Sequence, residues 1–535
     1  MAFYLAQGGT SLYKIDPVTG VPTALSLPSG ITLDTTRKPK FAVLNQWVIV
    51  VNSPNRNLAI DPEGTVRVLV PRAPQQPPNI AVGASTGLTG TYQYRVSFFV
   101  NGSDDELFME SPLSPLTAQL TVSNQDIALT RIPISEDSIT GRRIYRNATA
   151  GTQFYKLVDI EGNIGTTLAD HLADASLATL PVVPTTLQSP PGTIEGTRLK
   201  NIAAWKNRLW GCTDSPVDVD TIYYTDDNKV YAWGYRLVAY PQGQDQEGVV
   251  GFAPRRDQLG IMKRDGLWQI TGTSNANFQI VQIAFGKAGC IAPDSVVVVN
   301  DVVYWLGKDG VYEWGGDGSN SVKNISEDLV DPWFTSDTYF NRARFNVSFA
   351  RYNQLQDSYE LHLTALGSSV EDRWVTYNRQ TKKWYGPHLT SAFTPSHAGA
   401  VFDNNASPVS LVGGSNGIIY TANSTTFTDG TFTPIDLDCY GPFHSADAPD
   451  IEHAWLQLSV LSKIESTGTL DVIPYVGRLD ASAGATISHD LTKGRELLRR
   501  LGTGPMMRLR FRQNTNAQGA TIYGFEVPFH ELGRR

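Results

Sequence analysis

Cysteine, histidine and charge are all scarce in this sequence. Three cysteines occur, Cys212, Cys290 and Cys439, far apart and outside any CxxC spacing. An odd, scattered set argues against a disulfide framework and a structural zinc. Buried free thiols are the expectation. The eight histidines show no HExxH or HxH spacing, so neither a metal nor another cofactor is expected. Charged residues make up 18% of the chain, with a net charge of −8. That balance argues against nucleic-acid binding over a whole face. An acidic wall would let a polyanion pass without holding it.

Long apolar runs are also missing. The longest are strand-sized, such as 47–51 (WVIVV) and 295–299 (SVVVV), too short to span a bilayer. The opening MAFYLAQGG has neither a basic n-region nor an apolar h-region, so no signal peptide is expected. Helical periodicity is nearly absent. One short helix is conceivable at 491–501 (LTKGRELLRRL), with Gly494 counting against it.

What is present is repetition. A Gly, Asp or Asn turn precedes a short apolar–aromatic strand at 10–16 (TSLYKID), 56–62 (RNLAIDP), 228–234 (NKVYAWG), 265–272 (DGLWQITG), 309–316 (DGVYEWGG), 372–386 (DRWVTYNRQTKKWYG) and 416–423 (NGIIYTAN). Several copies follow a second, almost wholly apolar strand, as in 41–51 (FAVLNQWVIVV), 201–211 (NIAAWKNRLWG) and 295–306 (SVVVVNDVVYWL). A buried strand, a tight turn and an amphipathic aromatic strand make the inner hairpin of a propeller blade. Tyr231, Trp268 and Tyr312 stand 37 and 44 positions apart, close to the ~40–50 residues of a typical blade. The expected fold is all-β: a β-propeller of six or seven blades, seven favoured. A large sandwich or solenoid fits the spacing less well.

The repeats are interrupted. Ala59 and Tyr231 are 172 positions apart, and the gap is bracketed by the proline-rich 71–78 (PRAPQQPP) and 181–191 (PVVPTTLQSPP). Between them lie alternating strands at 91–100, 116–122, 126–130, 142–147 and 153–160, the size and spacing of an immunoglobulin or fibronectin type III sandwich. The Arg and Tyr residues of 142–146 are expected to alternate between core and face. The tail, with strands at 454–460, 469–475, 506–512 and 521–529, reads as a second small β domain. The division is therefore 1–75 and 193–425 for the propeller, 76–192 for the insert and 426–535 for the C-terminal domain.

Catalytic patterns are weak. The nearest approach to a sialidase Asp box, 307–314 (GKDGVYEW), lacks its Ser and Thr, and turn chemistry accounts for its Asp-Gly. No Walker A loop or Rossmann fingerprint occurs. Asp214, Asp218, Asp220, Asp226 and Asp227 would hold Ca²⁺ only if folded together, and a solvated loop is the simpler expectation. No catalytic residue is assigned and no enzyme activity is expected. From 491 to 535 the chain carries nine Lys or Arg against three Glu. The arginines Arg495, Arg499, Arg500, Arg508, Arg510, Arg512, Arg534 and Arg535 form a candidate protein interface. A solvated strand face and a nucleic-acid contact are the other readings. The last is disfavoured because aromatics do not interleave as stacking platforms would.

Four features together resemble the tail nozzle proteins of short-tailed bacteriophages, which act as tail hubs or stabilisation proteins. They are GTYQYRVSFF (90–99) with GRRIYRNATAGTQFYKLVDI (141–160) and TTLAD (166–170); WKNRLWG (205–211) followed by TIYYTDDNKVYAWG (221–234); DGLWQITG (265–272) followed by GKAGCIAPDSVVVVNDVVYWLGKDGVYEW (286–314); and the ending FEVPFHELGRR (525–535). The resemblance implies a virion protein, made in the host cytoplasm, forming a homohexameric ring below the portal and adaptor. It further implies tail fibres or spikes on the outside and genomic double-stranded DNA retained in, then ejected through, the lumen.

Two other readings stay open. Aromatics such as Trp233, Trp314 and Trp384 would stack on sugars in a receptor- or glycan-binding tail protein, if exposed; blade packing is the simpler use for them. A propeller glycosidase would need a carboxylate pair that sequence alone cannot select.

Overall fold

The fold is seen in a computed structural model that describes residues 3–17, 19–52, 56–102, 106–190, 199–214, 219–239, 248–315, 321–389, 393–402, 408–422, 428–429, 433–434, 437–446, 449–479, 481–513, 520 and 522–534. Antiparallel strands dominate, and no helix among these residues is long and apolar enough to cross a membrane. Two compact units are formed: 1–387 with 398–409, and 388–397 with 410–535.

The larger unit contains a β-propeller. Its first sheet has three strands, Tyr4–Gly8, Ser11–Ile15 and Pro22–Leu25. Five four-stranded meanders follow. The second sheet begins at Lys40–Leu44, the third at Leu199–Trp205, the fourth at Val249–Pro254, the fifth at Val297–Val299 and the sixth at Phe349–Asn353. These five starting strands lie side by side in chain order. Lys38, just before the second sheet, donates to the Val347 carbonyl, just before the sixth, at 3.2 Å. The seventh repeat falls in the smaller unit, where Ser410–Gly413 pairs with Ile419–Ala422.

Local chemistry accounts for the hairpins. Asn45–Gln46, Lys206–Asn207 and Asn300–Asp301 join the first two strands of the second, third and fifth sheets, and both residues of each pair have positive φ. Two-residue turns of this kind match the twist of the flanking strands, and Asn and Asp tolerate them best.

Packing between sheets explains the apolar–aromatic repeats. Ala42 and Ile49 meet Ile202 and Leu209; Ala203 and Trp210 meet Phe252, Ile261 and Trp268; Val250 and Leu267 meet Val303, Trp305 and Trp314; Tyr304 and Val311 meet Tyr359, Leu361 and Val375. The third, fourth and fifth sheets are thus packed on both faces. Each such large side chain contributes roughly 1.5–3 kcal/mol by leaving water.

The insert is a sandwich. One sheet orders Leu107–Glu110, Tyr94–Asn101, Gly141–Asn147 and Phe154–Glu161. Facing it are the pair Leu88–Tyr92 with Leu120–Gln125 and the trio Asn79–Val82, Ile127–Thr130 and Leu168–Asp170. Leu88, Tyr92, Val96, Val122, Ile127, Leu129 and Ile144 form its core. Alternation of core and face at 142–146 is not what is found. Arg142, Ile144, Tyr145 and Arg146 are all buried, and Arg143 nearly so. The strand is central in its sheet, and both of its faces are covered.

The smaller unit holds the C-terminal sandwich. One sheet runs Leu437–Tyr440, Met506–Gln513, Thr469–Gly477 and Ile487–Asp490. In the other, Ile451–Ser462 pairs with Arg495–Gly504 on one side and with Ile522–Glu526 and Phe529–Arg534 on the other. The helix considered at 491–501 does not form. One 3-10 turn spans Leu491–Lys493, Gly494 turns the chain at φ +66°, and Arg495 opens a ten-residue strand.

Candidate functional site: an arginine and tyrosine face on the C-terminal sandwich

Strand Met506–Gln513 alternates. Met507, Leu509 and Phe511 enter the core, while Arg508, Arg510 and Arg512 lie on the outer face. Cross-strand pairing sets their neighbours: Arg512 stands opposite Asp438 and Asp471, Arg510 opposite Tyr440 and Ile473, and Arg508 opposite Tyr475.

The guanidinium of Arg508 is ringed by aromatics. Its centre lies 5.0 Å from the Tyr440 ring, 4.6 Å from Phe443 and 4.8 Å from Tyr475. Arg510 lies 5.0 Å from the same Tyr440 ring and forks onto Asp438, with Nε donating at 2.7 Å. That bond holds the Asp438 carboxyl below its usual range. A hydrogen bond with Tyr475 raises the Tyr440 phenol. Aromatics therefore do interleave with the arginines, but across strands. The reason given for disfavouring a stacking surface is corrected on this point: the sheet brings together what the chain order separates.

The other arginines lie on the second sheet. Arg495 pairs with Glu526 at 2.7 Å, Arg499 donates to the Ala485 carbonyl, and Arg500 is exposed with no ion pair among the described residues. Arg534 sits in a strand opposite Ile451, and Arg535 lies outside the described residues. The seven described candidates are thus divided between two sheets.

Sequence reasoning missed one constellation. Ser462 Oγ lies 2.9 Å from His489 Nε2, and His489 Nδ1 lies 3.3 Å from Glu496 Oε2. The order matches a Ser–His–acid triad. However, His489 is sealed from solvent, Ser462 is buried, and the Ser462 N–H donates to Gly494 O rather than standing free for an oxyanion. The group clamps three strands together. The only signal was three polar residues far apart in the chain. No G-x-S-x-G elbow is expected of this sequence, yet 413–417 (GGSNG) has that spacing. It forms a hairpin turn between two strands, not the strand-to-helix elbow that exposes a nucleophile.

The remaining candidates resolve individually. Asp220 pairs with buried Lys263 at 2.7 Å, Asp226 with Lys229 at 3.0 Å, and Asp214 with Arg37 at 2.9 Å. Asp227 faces Arg208, and Asp218 lies outside the described residues. These carboxylates serve cations of the chain, and no group of three or more metal-ligating side chains occurs among the described residues. Trp233 and Trp314 are buried, while Trp384 is partly buried against Trp333, Phe334 and Tyr377. All three are packing residues, so the exposed sugar platform considered for them is absent at these positions. Cys212 and Cys290 are buried as expected, and burial pushes both thiols up to about 12. Cys439 departs from the expectation: it is exposed, because it lies on an edge strand.

No family model and no curated protein matches this sequence. Among solved structures, the chain is similar to PorZ, a surface component of the type-IX secretion system of Porphyromonas gingivalis, at 10% identity and TM-score 0.26, covering 99% of this chain and 80% of that one. It is similar to the dihydro-heme d1 dehydrogenase NirN at 12% identity and TM-score 0.30, covering 77% and 74%. The N-terminal domain of Nup159 matches at 12% identity and TM-score 0.25, covering 66% and 90%. Likeness at this level assigns no activity to this chain.

Proposed function

We propose that this protein is a structural subunit of a phage tail nozzle. The observation that carries the reading is the order of its parts: two propeller sheets, an inserted sandwich, four further sheets, and a separate C-terminal sandwich with outward arginines. Propellers whose sheets pack face against face are stiff building blocks, suited to a ring that bears load. In the proposed virion the chain forms a homohexamer beneath the portal and adaptor, with fibres or spikes outside. Double-stranded DNA passes through the lumen without sequence-specific binding. The net charge of −8 supports passage over retention by contact. The role requires no catalytic step. The C-terminal arginines, Arg500 foremost, would face an acidic neighbour in the tail.

Native mass spectrometry and projection images of the purified chain, with and without its adaptor, test this. Six-fold rings are the expected result. A particle that stays monomeric with the adaptor present overturns the proposal.

A further inference from the structure

The outer face of the first C-terminal sheet is laid out in rows. Two residues of strand advance about 7 Å, so successive rows on one face stand that far apart. One row sets Asp438, Arg512 and Asp471 side by side, and the next sets Tyr440, Arg510 and Ile473. A third sets Tyr475 opposite Arg508, with Phe443 against the same guanidinium. A charged row therefore borders an aromatic zone.

Tyr440 is held in place yet open to solvent. Its ring lies 5.0 Å from both Arg508 and Arg510, and 5.9 Å from the Tyr475 ring. Half of the residue, 50%, stays exposed all the same. A ring already fixed by its neighbours loses little freedom when a ligand lies on it.

The row beside the ring mixes both signs of charge. Arg510 forks onto Asp438: Nε donates to Oδ1 at 2.7 Å, and Nη2 donates to Oδ2. Arg512 stands in register between Asp438 and Asp471. The Asp438 and Arg510 side chains keep 30% and 24% of their surface exposed. A carboxylate has further lone pairs, and a guanidinium further N–H groups, than one fork uses. Acceptors and donors are thus offered together. The interspersed carboxylates suit a phosphate backbone poorly, since that is held by cations. A hydroxyl, which donates and accepts at once, suits them well. A pyranose combines a rim of hydroxyls with an apolar C–H face.

We propose that this face binds a neutral saccharide, with a sugar ring stacked on Tyr440 and its hydroxyls shared between the Asp438 carboxylate and the Arg510 guanidinium. Tyr475 extends the platform by one row. The site does not depend on the nozzle reading: rings without sugar binding, or sugar binding without rings, separate the two.

The test uses the full chain in native gels cast with dextran, mannan or galactan, three neutral polysaccharides. At least one should retard the wild type relative to a plain gel. Tyr440→Ala should weaken that binding about tenfold. Tyr440→Phe, which keeps the ring, should retain most of it, and Asp438→Asn should weaken it. Retardation by none of the three overturns the proposal, and so does retardation that Tyr440→Ala leaves unchanged. Binding of a single-stranded oligothymidine, abolished by Tyr440→Ala while the polysaccharides leave the protein unretarded, also overturns it and gives the face to nucleic acid. If Tyr440→Ala fails to fold, Asp438→Asn decides, and binding that it leaves unchanged overturns the proposal.

Discussion

Arg146 places its guanidinium Nη1 2.6 Å from the Asp170 carboxylate, with both side chains sealed from water in the middle of the inserted sandwich. Tyr94 donates to the same carboxylate at 2.7 Å, and Arg146 reaches Asp174 and the Leu172 carbonyl with its other nitrogen. Removing one partner of a buried pair strands the other, at a cost of about 3–5 kcal/mol. Asp170→Asn should therefore raise hydrogen exchange in 94–101 and 141–147 more than about a hundredfold, while the propeller strands stay protected. Unchanged exchange in the insert would refute this account of its core.

Lys40 carries a pH signature. Burial lowers Lys40 to about 8, against an ordinary value near 10.5. Between those values the unfolded chain binds the extra proton, so raising the pH through that window favours the folded state. Below about 8 the ammonium is present in both states and the penalty is complete. The stability of Lys40→Met relative to wild type should accordingly fall between pH 8 and 10, whatever the loss of the Asp294 partner costs at pH 7. Chemical unfolding of both proteins across that range measures it; a constant difference contradicts the assignment.

On the C-terminal sandwich, Arg508 has three aromatic partners and Arg500 has no ion pair among the described residues. Arg508→Gln should destabilise that domain by about 1–2 kcal/mol, with Arg508→Lys recovering part of it. Arg500→Gln should change stability by less than about 0.5 kcal/mol. Domain unfolding followed by tyrosine fluorescence separates the three variants. If Arg508→Gln is as silent as Arg500→Gln, the rings do not hold that arginine.

Thiol reactivity offers a simple check on the fold. One thiol per native chain, Cys439, should react with Ellman's reagent, and three should react in guanidinium. Burial and neighbouring Asp438 raise the Cys439 thiol, so its reaction should quicken markedly above neutral pH. Reaction of Cys212 or Cys290 in the native protein would contradict their burial.

These cases show what a sequence can and cannot disclose. Hairpins were legible because a strand's period and an Asn–Asp turn are local properties, as at Asn300–Asp301 between two valine-rich strands. The interruption of the repeats was legible because spacing survives in one dimension. Gly494 was correctly suspected, and its positive φ turned a helical pattern into a strand. Burial of the whole 142–146 stretch is not legible, since charge normally marks exposure and the partners of Arg142 and Arg146 lie elsewhere in the chain. The aromatic ring around Arg508 was hidden for the same reason: strand pairing, not chain order, determines who stands beside whom. Lys38 and Lys40 are unremarkable in the sequence and meet Asp294 only because the sheets converge.

The bond from Lys38 to the Val347 carbonyl spans 309 positions. A ribosome adding about 5–20 residues per second needs roughly 15–60 s to make that much chain. During this interval the first two sheets wait with an open flank, while the inserted sandwich, complete much earlier, can already fold. The insert thus doubles as a delay and a temporary neighbour for an unfinished ring.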